Sequence, residues 1–421
     1  MRVVDKNSRA YLFVPYIALM LLYLKVSLFR YVATALLVLP LIICIVINRA
    51  IPRRHLLIIA FLAAHFCMAA HTASIASSVK IVLQDLIWVA PIFIYDVIEA
   101  IDDNRRKSIC GFIFKLMSLI LAYCMVRSFL YALSNPYAIR SMANYDVTET
   151  PVGMPLAIGG GYPLIFSCII LAPYFIYLGK MHWKTNKKIA TISVGAFVFT
   201  MMLLVASNVT TAVLLAAAAS AWMLVVNRKS NNMIILAVVL VLLAVIVTNP
   251  QLLARIIKMV SNIFDTKSII YIRLQEILPA LSGANSSSAF GDRFMLAERS
   301  WSTIWDCPFL GAGFQVGYNY DALTNYVGHH SEWLDFLATY GIFIGGLFLV
   351  FLYRSIRTLL NASWLKENKA IYTVLFIIFG VIGIMDPVLS TNALLILFVY
   401  IPCAECAIGG MNNEKNSVCD L

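Results

Sequence analysis

Long apolar runs alternate with short polar connectors along almost the whole chain. A membrane-spanning helix needs about 20 mostly apolar residues. Twelve segments read that way: 10–29, 31–48, 56–73, 81–100, 108–131, 156–178, 189–206, 211–227, 232–249, 342–360, 370–386 and 391–408. Two longer polar stretches interrupt the rhythm, at 134–155 and 250–341. The second is too long for a simple turn and must carry structure of its own. Within it, Leu253, Ile256, Ile257, Val260, Ile263, Ile269, Ile270 and Leu274 predict an amphipathic helix over Leu252–Leu278, lying on the outer leaflet. The tract Ser282-Gly-Ala-Asn-Ser-Ser-Ser288 reads as a flexible break. Phe294–Trp305 reads as a second helix ended by Pro308, glycines 311, 313 and 317 make a turn-rich stretch, and Ser331–Tyr340 reads as a third helix. No Gly/Ser linker or evident repeat divides the chain, so residues 1–421 read as one integral membrane domain.

Composition narrows the class. Hydrophobic residues make up 61% and charged residues 13% of the 421, and mean hydropathy is +0.85. A soluble globular enzyme, a disordered chain and a secreted disulfide scaffold are excluded. The fold class predicted is an all-α polytopic membrane protein. Lipid obliges every spanning backbone to satisfy its own hydrogen bonds, and these segments are too long and too uniformly apolar for barrel strands.

The net charge of +11 has a topological reading. With the N-terminus inside, 20 of the 32 lysines and arginines fall on one face, mostly in or beside short connectors. That face is expected to be cytoplasmic, and an even number of spans returns the C-terminus to it. The two long loops then lie outside. They carry seven basic and ten acidic side chains, net −3, so an arginine that works there acts by position and not through a bulk field. No basic helix or aromatic–basic module suggests nucleic acid. Arg2, Lys6 and Arg9 precede the first apolar run without a small-residue cleavage site, so no cleavable signal peptide is expected. Of nine cysteines, only Cys307 lies in a long polar loop. Cys403 and Cys406 are spaced like a metal pair but sit in an apolar segment without other ligands. No metal or cofactor motif is present.

The densest chemistry is Gly328-His-His-Ser-Glu-Trp-Leu-Asp-Phe-Leu-Ala-Thr-Tyr-Gly341. His330 stands just before a helix that Ser331 would cap. The positive end of that helix favours a neutral imidazole, which can accept a proton from a hydroxyl; the same end can also hold a phosphate. His329 beside it is a further binding candidate, although a histidine in such a loop can be purely structural. Glu332 and Asp335 could orient the imidazole or be ordinary first-turn acids. The second cluster, Gly291-Asp-Arg-Phe-Met-Leu-Ala-Glu-Arg-Ser-Trp-Ser-Thr-Ile-Trp-Asp-Cys-Pro-Phe-Leu-Gly-Ala-Gly-Phe314, places Arg293 and Arg299 in the same outer loop. Guanidinium binds phosphate bidentately; the plainer alternative is an ion pair with Asp292, Glu298 or another acid. Trp301 and Trp305 share a helix face, as interfacial anchors or as a sugar-stacking platform.

Weaker signals lie elsewhere. Arg127 and Arg140 flank the start of the shorter loop and could touch an anion or merely snorkel. Gly159-Gly-Gly161 opens a span without the features of a nucleotide loop, and could admit a lipid headgroup or a neighbouring helix. Asp85, Asp96, Lys115 and Asp386 lie in or near spans; a buried pair such as Lys115 with an Asp is as good a reading as a functional one. His65 and His71, six apart, share no helix face and read as packed or bridging polar residues.

Three of these features together resemble the bacterial O-antigen polymerase (Wzy) and O-antigen ligase family. They are Gly291–Arg293 followed by the CPFLGAGF run, His330-Ser331 followed after nine residues by Gly341, and the plan of about twelve spans with two large outer loops. The motif matches cover roughly residues 291–346; elsewhere the likeness is in hydropathy. The resemblance implies a GT-C-like, metal-independent, inverting glycosyltransferase of the bacterial inner membrane. Its donor would be glycan on undecaprenyl diphosphate, used at the periplasmic face among membrane lipid. It implies Arg293 on the diphosphate and His330 beside the acceptor hydroxyl as base or orienter. Arg140 is a looser candidate, with Arg127, Arg299, His329, Trp301 and Trp305 around the substrate. A chain-length-regulating membrane protein would be a partner by analogy. One departure stands out: many relatives carry an arginine just after the seventh span, where this chain reads Ser207-Asn-Val-Thr-Thr211. The His-Ser-Glu-Trp phrase favours polymerase; a ligase that moves finished glycan to lipid A–core is the alternative. A transporter of the same lipid-linked sugar is a third reading, disfavoured because polar chemistry concentrates in one outer loop.

Overall fold

A computed structural model describes residues 53–134, 161–207, 209–225, 250–266, 268, 271–272, 274–275, 278, 289–317, 323–389 and 392–408. For residues 250–254, 256 and 289–294, among others, only the backbone is described. The expected spans 10–29, 31–48 and 232–249, the loop 134–155 with Arg140, and the Ser282–Ser288 tract lie outside the described residues.

The described chain is helical, without a strand. Its elements are α1 (Arg53–Thr72), α2 (Ile75–Ala100), α3 (Asp103–Ser134), α4 (Tyr162–His182), α5 (Lys187–Ala206), α6 (Thr210–Val225), α7 (Pro250–Ser261), α8 (Ala289–Asp306), α9 (Ala312–Val316), α10 (Glu332–Asn361), α11 (Lys369–Met385) and α12 (Ala393–Ile408). Six of them, α1 to α5 and α10, are long and apolar enough to cross a membrane. All nine expected spans that fall on described residues are helices. Three of them, α6, α11 and α12, are shorter apolar helices. The chain is thus an integral membrane protein by the length and apolarity of its helices.

Helix α4 is the centre of the bundle. It is buried along most of its length, including Leu164, Ile165, Ile169, Ile170, Leu171 and Tyr174. It packs against α5 and α6 on one side and α11 and α12 on another. Its start lies at Tyr162 and not at 156, because Gly161 turns the backbone with φ 76° and Pro163 follows in the first turn. Helix α5 instead exposes Ile192, Val198, Met202 and Val205, as a lipid-facing helix should. Helix α12 contains a π-helical turn at Ile396–Tyr400.

Buried charge is resolved differently from the expected lysine–aspartate pair. Lys115 is exposed. Asp85 pairs with His65 of α1, and Asp96 pairs with Arg54 and His55 of the same helix, His55 Nε2 at 2.7 Å. Histidine and arginine at the right depth on α1 satisfy acids on its hairpin partner α2, which a distant lysine cannot. His71 is exposed, so the two histidines do differ in face. Asp386 sits at the C-cap of α11 and not within a span. Cys110 of α3 hydrogen-bonds with Cys403 and Cys406, so that pair does have a thiol neighbour.

The longer polar loop also departs from expectation in two places. Helix α7 ends at Ser261, whose hydroxyl turns back to the Lys258 carbonyl at 2.9 Å, so no single helix runs to Leu278. Helix α8 begins at Ala289, five residues before the expected start, and takes Gly291–Arg293 into its first turns.

Candidate functional site

The site is built around a short helical arm. Helix α10 is two helices joined at Gly341, whose φ of 65° and ψ of 179° break the helix. The first part, Glu332–Tyr340, is the arm; at about 1.5 Å per residue it is about 13 Å long. The second part is the spanning helix. The break leaves amides at the start of the spanning part without helical partners. Ile342 donates to the Pro308 carbonyl at 2.8 Å, and Phe343 to that of Phe309 at 3.0 Å. The CPFLGAGF run is therefore the cap of a transmembrane helix.

Glycine makes that approach possible. Gly311 has φ 72°, and a Cβ placed on it would lie 2.3 Å from the Thr339 carbonyl oxygen. A Cβ on Gly313 would lie 2.8 Å from the same oxygen. Ala312 and Ala338 pack between these backbones, with Leu323 and Val327, into a small core separate from the main one.

The arm is clamped on two faces. Trp333, Phe336 and Tyr340 turn to the bundle. Trp333 Nε1 donates to the Gly380 carbonyl of α11 at 2.7 Å, and its ring lies where a side chain on Gly383 would clash. Phe336 and Tyr340 pack on Phe61 of α1. Glu332 accepts the Leu389 amide at 2.8 Å, which ties the start of the arm to the α11–α12 turn. On the other face Asp335 meets α8: Ser300 Oγ donates to it at 2.5 Å and itself accepts the Gly328 amide at 2.8 Å. Ser331 stands at the N-cap, as expected, but its hydroxyl does not cap the helix. It donates to the Gly383 carbonyl at 3.4 Å, while its amide donates to Asp335 at 2.8 Å. Glu332 and Asp335 are thus anchors of the arm.

His329 and His330 sit at the head of this arm, both half-buried. His329 has φ 57°, a left-handed conformation that side chains of its kind adopt rarely. Gly328 before it presses on α8 so closely that a Cβ would lie 2.1 Å from the Leu296 carbonyl oxygen. The histidine turn is therefore held from below by the arm and from the side by α8. Burial pushes the His329 imidazole below its ordinary value of 6.5; Asp335 works against that shift and Arg299 with it.

Helix α8 supplies the cations. Arg293 lies in its first turns, three and seven residues before Leu296 and Ser300, the residues that meet Gly328. The Arg293 side chain is outside the described part. Arg299 is exposed and donates to the Thr324 carbonyl at 2.6 Å, so one of its five donors holds the loop before the histidines and no acid among the described residues forms an ion pair with it. Thr303 bonds the Tyr326 carbonyl at 2.7 Å in the same manner. Trp301 and Trp305 lie edge to face at 5.9 Å on the opposite, exposed side of α8. Phe309, Phe314, Ile342 and Phe343 are exposed as well. Arg127 of α3 is exposed, and α3 packs on α2, α5 and α12. Where relatives would carry an arginine, Ser207 closes a tight turn by donating to the Leu204 carbonyl at 2.7 Å.

Sequence reading missed the contacts that Ser300, Trp333 and Tyr340 make around the arm; His65, read as a packed or bridging polar residue, does bridge Asp85 and Tyr340. The polar residues spaced along α8 at Arg299, Ser300 and Thr303 were a usable signal, because a face with hydroxyls three apart needs polar partners.

Residues 195–352 match the family model described as O-antigen ligase (Wzy_C). The match runs from α5 through both arginines, the CPFLGAGF cap and the histidine arm into the spanning half of α10. It agrees with the resemblance to the O-antigen polymerase and ligase family. No curated protein matches the chain.

Proposed function

We propose that this protein is a surface-polysaccharide polymerase, joining undecaprenyl-diphosphate-linked repeat units at the periplasmic face of the bacterial inner membrane. Members of the matched family are glycosyltransferase-like enzymes, polymerases or ligases, acting in lipopolysaccharide biosynthesis on lipid-linked glycan. One observation carries the reading to this chain's residues. The matched segment holds a helix-capped histidine turn pressed against the helix that bears Arg293 and Arg299.

The chemistry asks for little more. An acceptor sugar hydroxyl attacks the anomeric carbon from the face opposite the diphosphate. The new glycosidic C–O bond forms as the bond to the diphosphate breaks, and undecaprenyl diphosphate leaves with the electron pair. The configuration inverts, and the hydroxyl proton passes to the His330 imidazole. Arg293, aided by Arg299, balances the charge that gathers on the leaving diphosphate without a metal ion. His329, neutral through burial, adds a polar contact without competing cationic charge. Arg140 and Arg127 are further contacts to the donor's anionic head, and the exposed Trp301–Trp305 edge meets the membrane lipid that carries it. In this reading the chain has about twelve spans in a GT-C-like arrangement, both termini are cytoplasmic, and a chain-length-regulating membrane protein is a partner.

The ligase description of the matched family favours a second reading, in which the acceptor is lipid A–core. Surface glycan on a gel separates the two, using a deletion strain complemented with wild type, His330→Ala or Arg293→Ala. Polymerase predicts core plus a single repeat in the deletion strain and in both variants. Ligase predicts bare core while lipid-linked polymer accumulates. Normal ladders from both variants at matched protein levels would sink the catalytic assignment.

A further inference from the structure

A second polar cluster lies inside the helical bundle and takes no part in the reaction just described. His65 of α1 is completely buried, and Asp85 of α2 and Tyr340 of the arm are nearly so. His65 Nδ1 hydrogen-bonds with an Asp85 carboxylate oxygen. The Tyr340 hydroxyl lies 3.2 Å from His65 Nε2 and 3.3 Å from Nδ1, against the imidazole, with the two rings edge to face at 4.8 Å. Three helices thus meet in one acid–imidazole–phenol line of contacts. Polar groups this deep among apolar side chains cost free energy, so such a line is expected to have a task.

The Asp85 bond at Nδ1 fixes the imidazole, and the fixed ring gives the Tyr340 hydroxyl a polar neighbour among apolar side chains.

Place gives the line its significance. Tyr340 is the last residue of the arm, next to the Gly341 break, and His330 is at the arm's other end. Trp333 and Tyr340 are seven residues apart and so lie on one face. The Trp333 bond to Gly380 holds that face near its start, and the His65 bond holds it at its end. Two fixed points on one face set both the height of the arm and its rotation.

We propose that Tyr340, His65 and Asp85 are positioning residues: through them the bundle sets the arm and so aims His330 at the acceptor hydroxyl. This rests on the glycosyl-transfer reading above. A misplacement of about 1 Å at a reacting centre can cost about a hundredfold in rate.

The test uses membranes holding the full chain, with lipid-linked repeat units extracted from a polymerase-deficient strain of the same glycan type. Tyr340→Phe removes the hydroxyl and keeps the ring packed on Phe61 and Phe336. It is expected to lower kcat per folded protein tenfold or more, with KM for the lipid-linked donor within twofold. His65→Gln, which keeps a polar group within reach of Tyr340 and Asp85, is expected to retain more of kcat than His65→Phe. Backbone hydrogen exchange is read in parallel: residues 332–340 should exchange faster in Tyr340→Phe while α4 is unchanged. Wild-type kcat per folded protein in Tyr340→Phe overturns the proposal, as does unchanged exchange in the arm. Glycosyl transfer absent from wild type itself would refute the functional reading, and the exchange result would still decide whether the line positions the arm.

Discussion

Gly311 and Gly341 lie backbone to backbone: a Cβ on either would stand 2.5 Å from the amide nitrogen of the other. Both have positive φ, and the contact seats the CPFLGAGF run over the start of a transmembrane helix. Neither position has room for a side chain, and neither conformation suits one.

Alanine at either glycine is therefore expected to destabilise the fold by at least about 2 kcal/mol, from left-handed strain and overpacking together. Thermal unfolding of Gly311→Ala and Gly341→Ala in detergent should show clearly lowered midpoints. Gly346→Ala, where a Cβ meets nothing within 4 Å, should match wild type.

Ser300 links three elements with one hydroxyl, accepting from Gly328 and donating to Asp335. Its removal leaves a buried amide and a carboxylate oxygen short of a partner, a cost of about 1–3 kcal/mol. Ser300→Ala should lose stability by that order and weaken the glycan ladder at matched protein level. Ser302→Ala, on the exposed side of α8, should change neither.

The histidine turn should respond to acid. Burial depresses the His329 imidazole, so the unfolded chain takes up its proton first as pH falls. The folded state then binds fewer protons, and stability drops as pH passes below the ordinary value of 6.5. Above that value the group is neutral in both states and contributes nothing to the slope. Glu332, on the same arm, works the other way, because burial raises its carboxyl to about 7 and acid then favours the folded state. The His329 part is therefore read as a difference: as pH goes from about 7.5 to 5.5, the thermal midpoint of His329→Asn, which tolerates the left-handed backbone, should rise relative to wild type, and a constant difference would count against His329.

Trp301 and Trp305 are about half and two-thirds exposed, beside Phe309 and Phe343 stacked at 5.2 Å. In vesicles made with brominated lipid, wild-type tryptophan fluorescence should be quenched more than that of the Trp301→Phe, Trp305→Phe double variant. Equal quenching would remove the pair from the lipid interface and return them to a sugar-binding role.

The sequence alone determined the helical membrane class and the nine described helices that fall on its apolar runs, because apolar runs of sufficient length have one cheap solution in lipid. It also marked the arginine helix and the histidine pair as the chemistry of one outer loop. Gly341 was legible as the residue between arm and span, and Ser331 as the N-cap. The tertiary structure decided what those residues touch. That Gly341 faces Gly311, that Ser300 and not a cap holds the loop, and that Asp85 meets His65 and not Lys115 are contacts between segments distant along the chain. Periodicity records which face of a helix is apolar; it does not record which neighbour that face will meet, or at what depth. Those follow from the packing of the whole bundle, since a buried polar group takes the partner that the fold brings within reach.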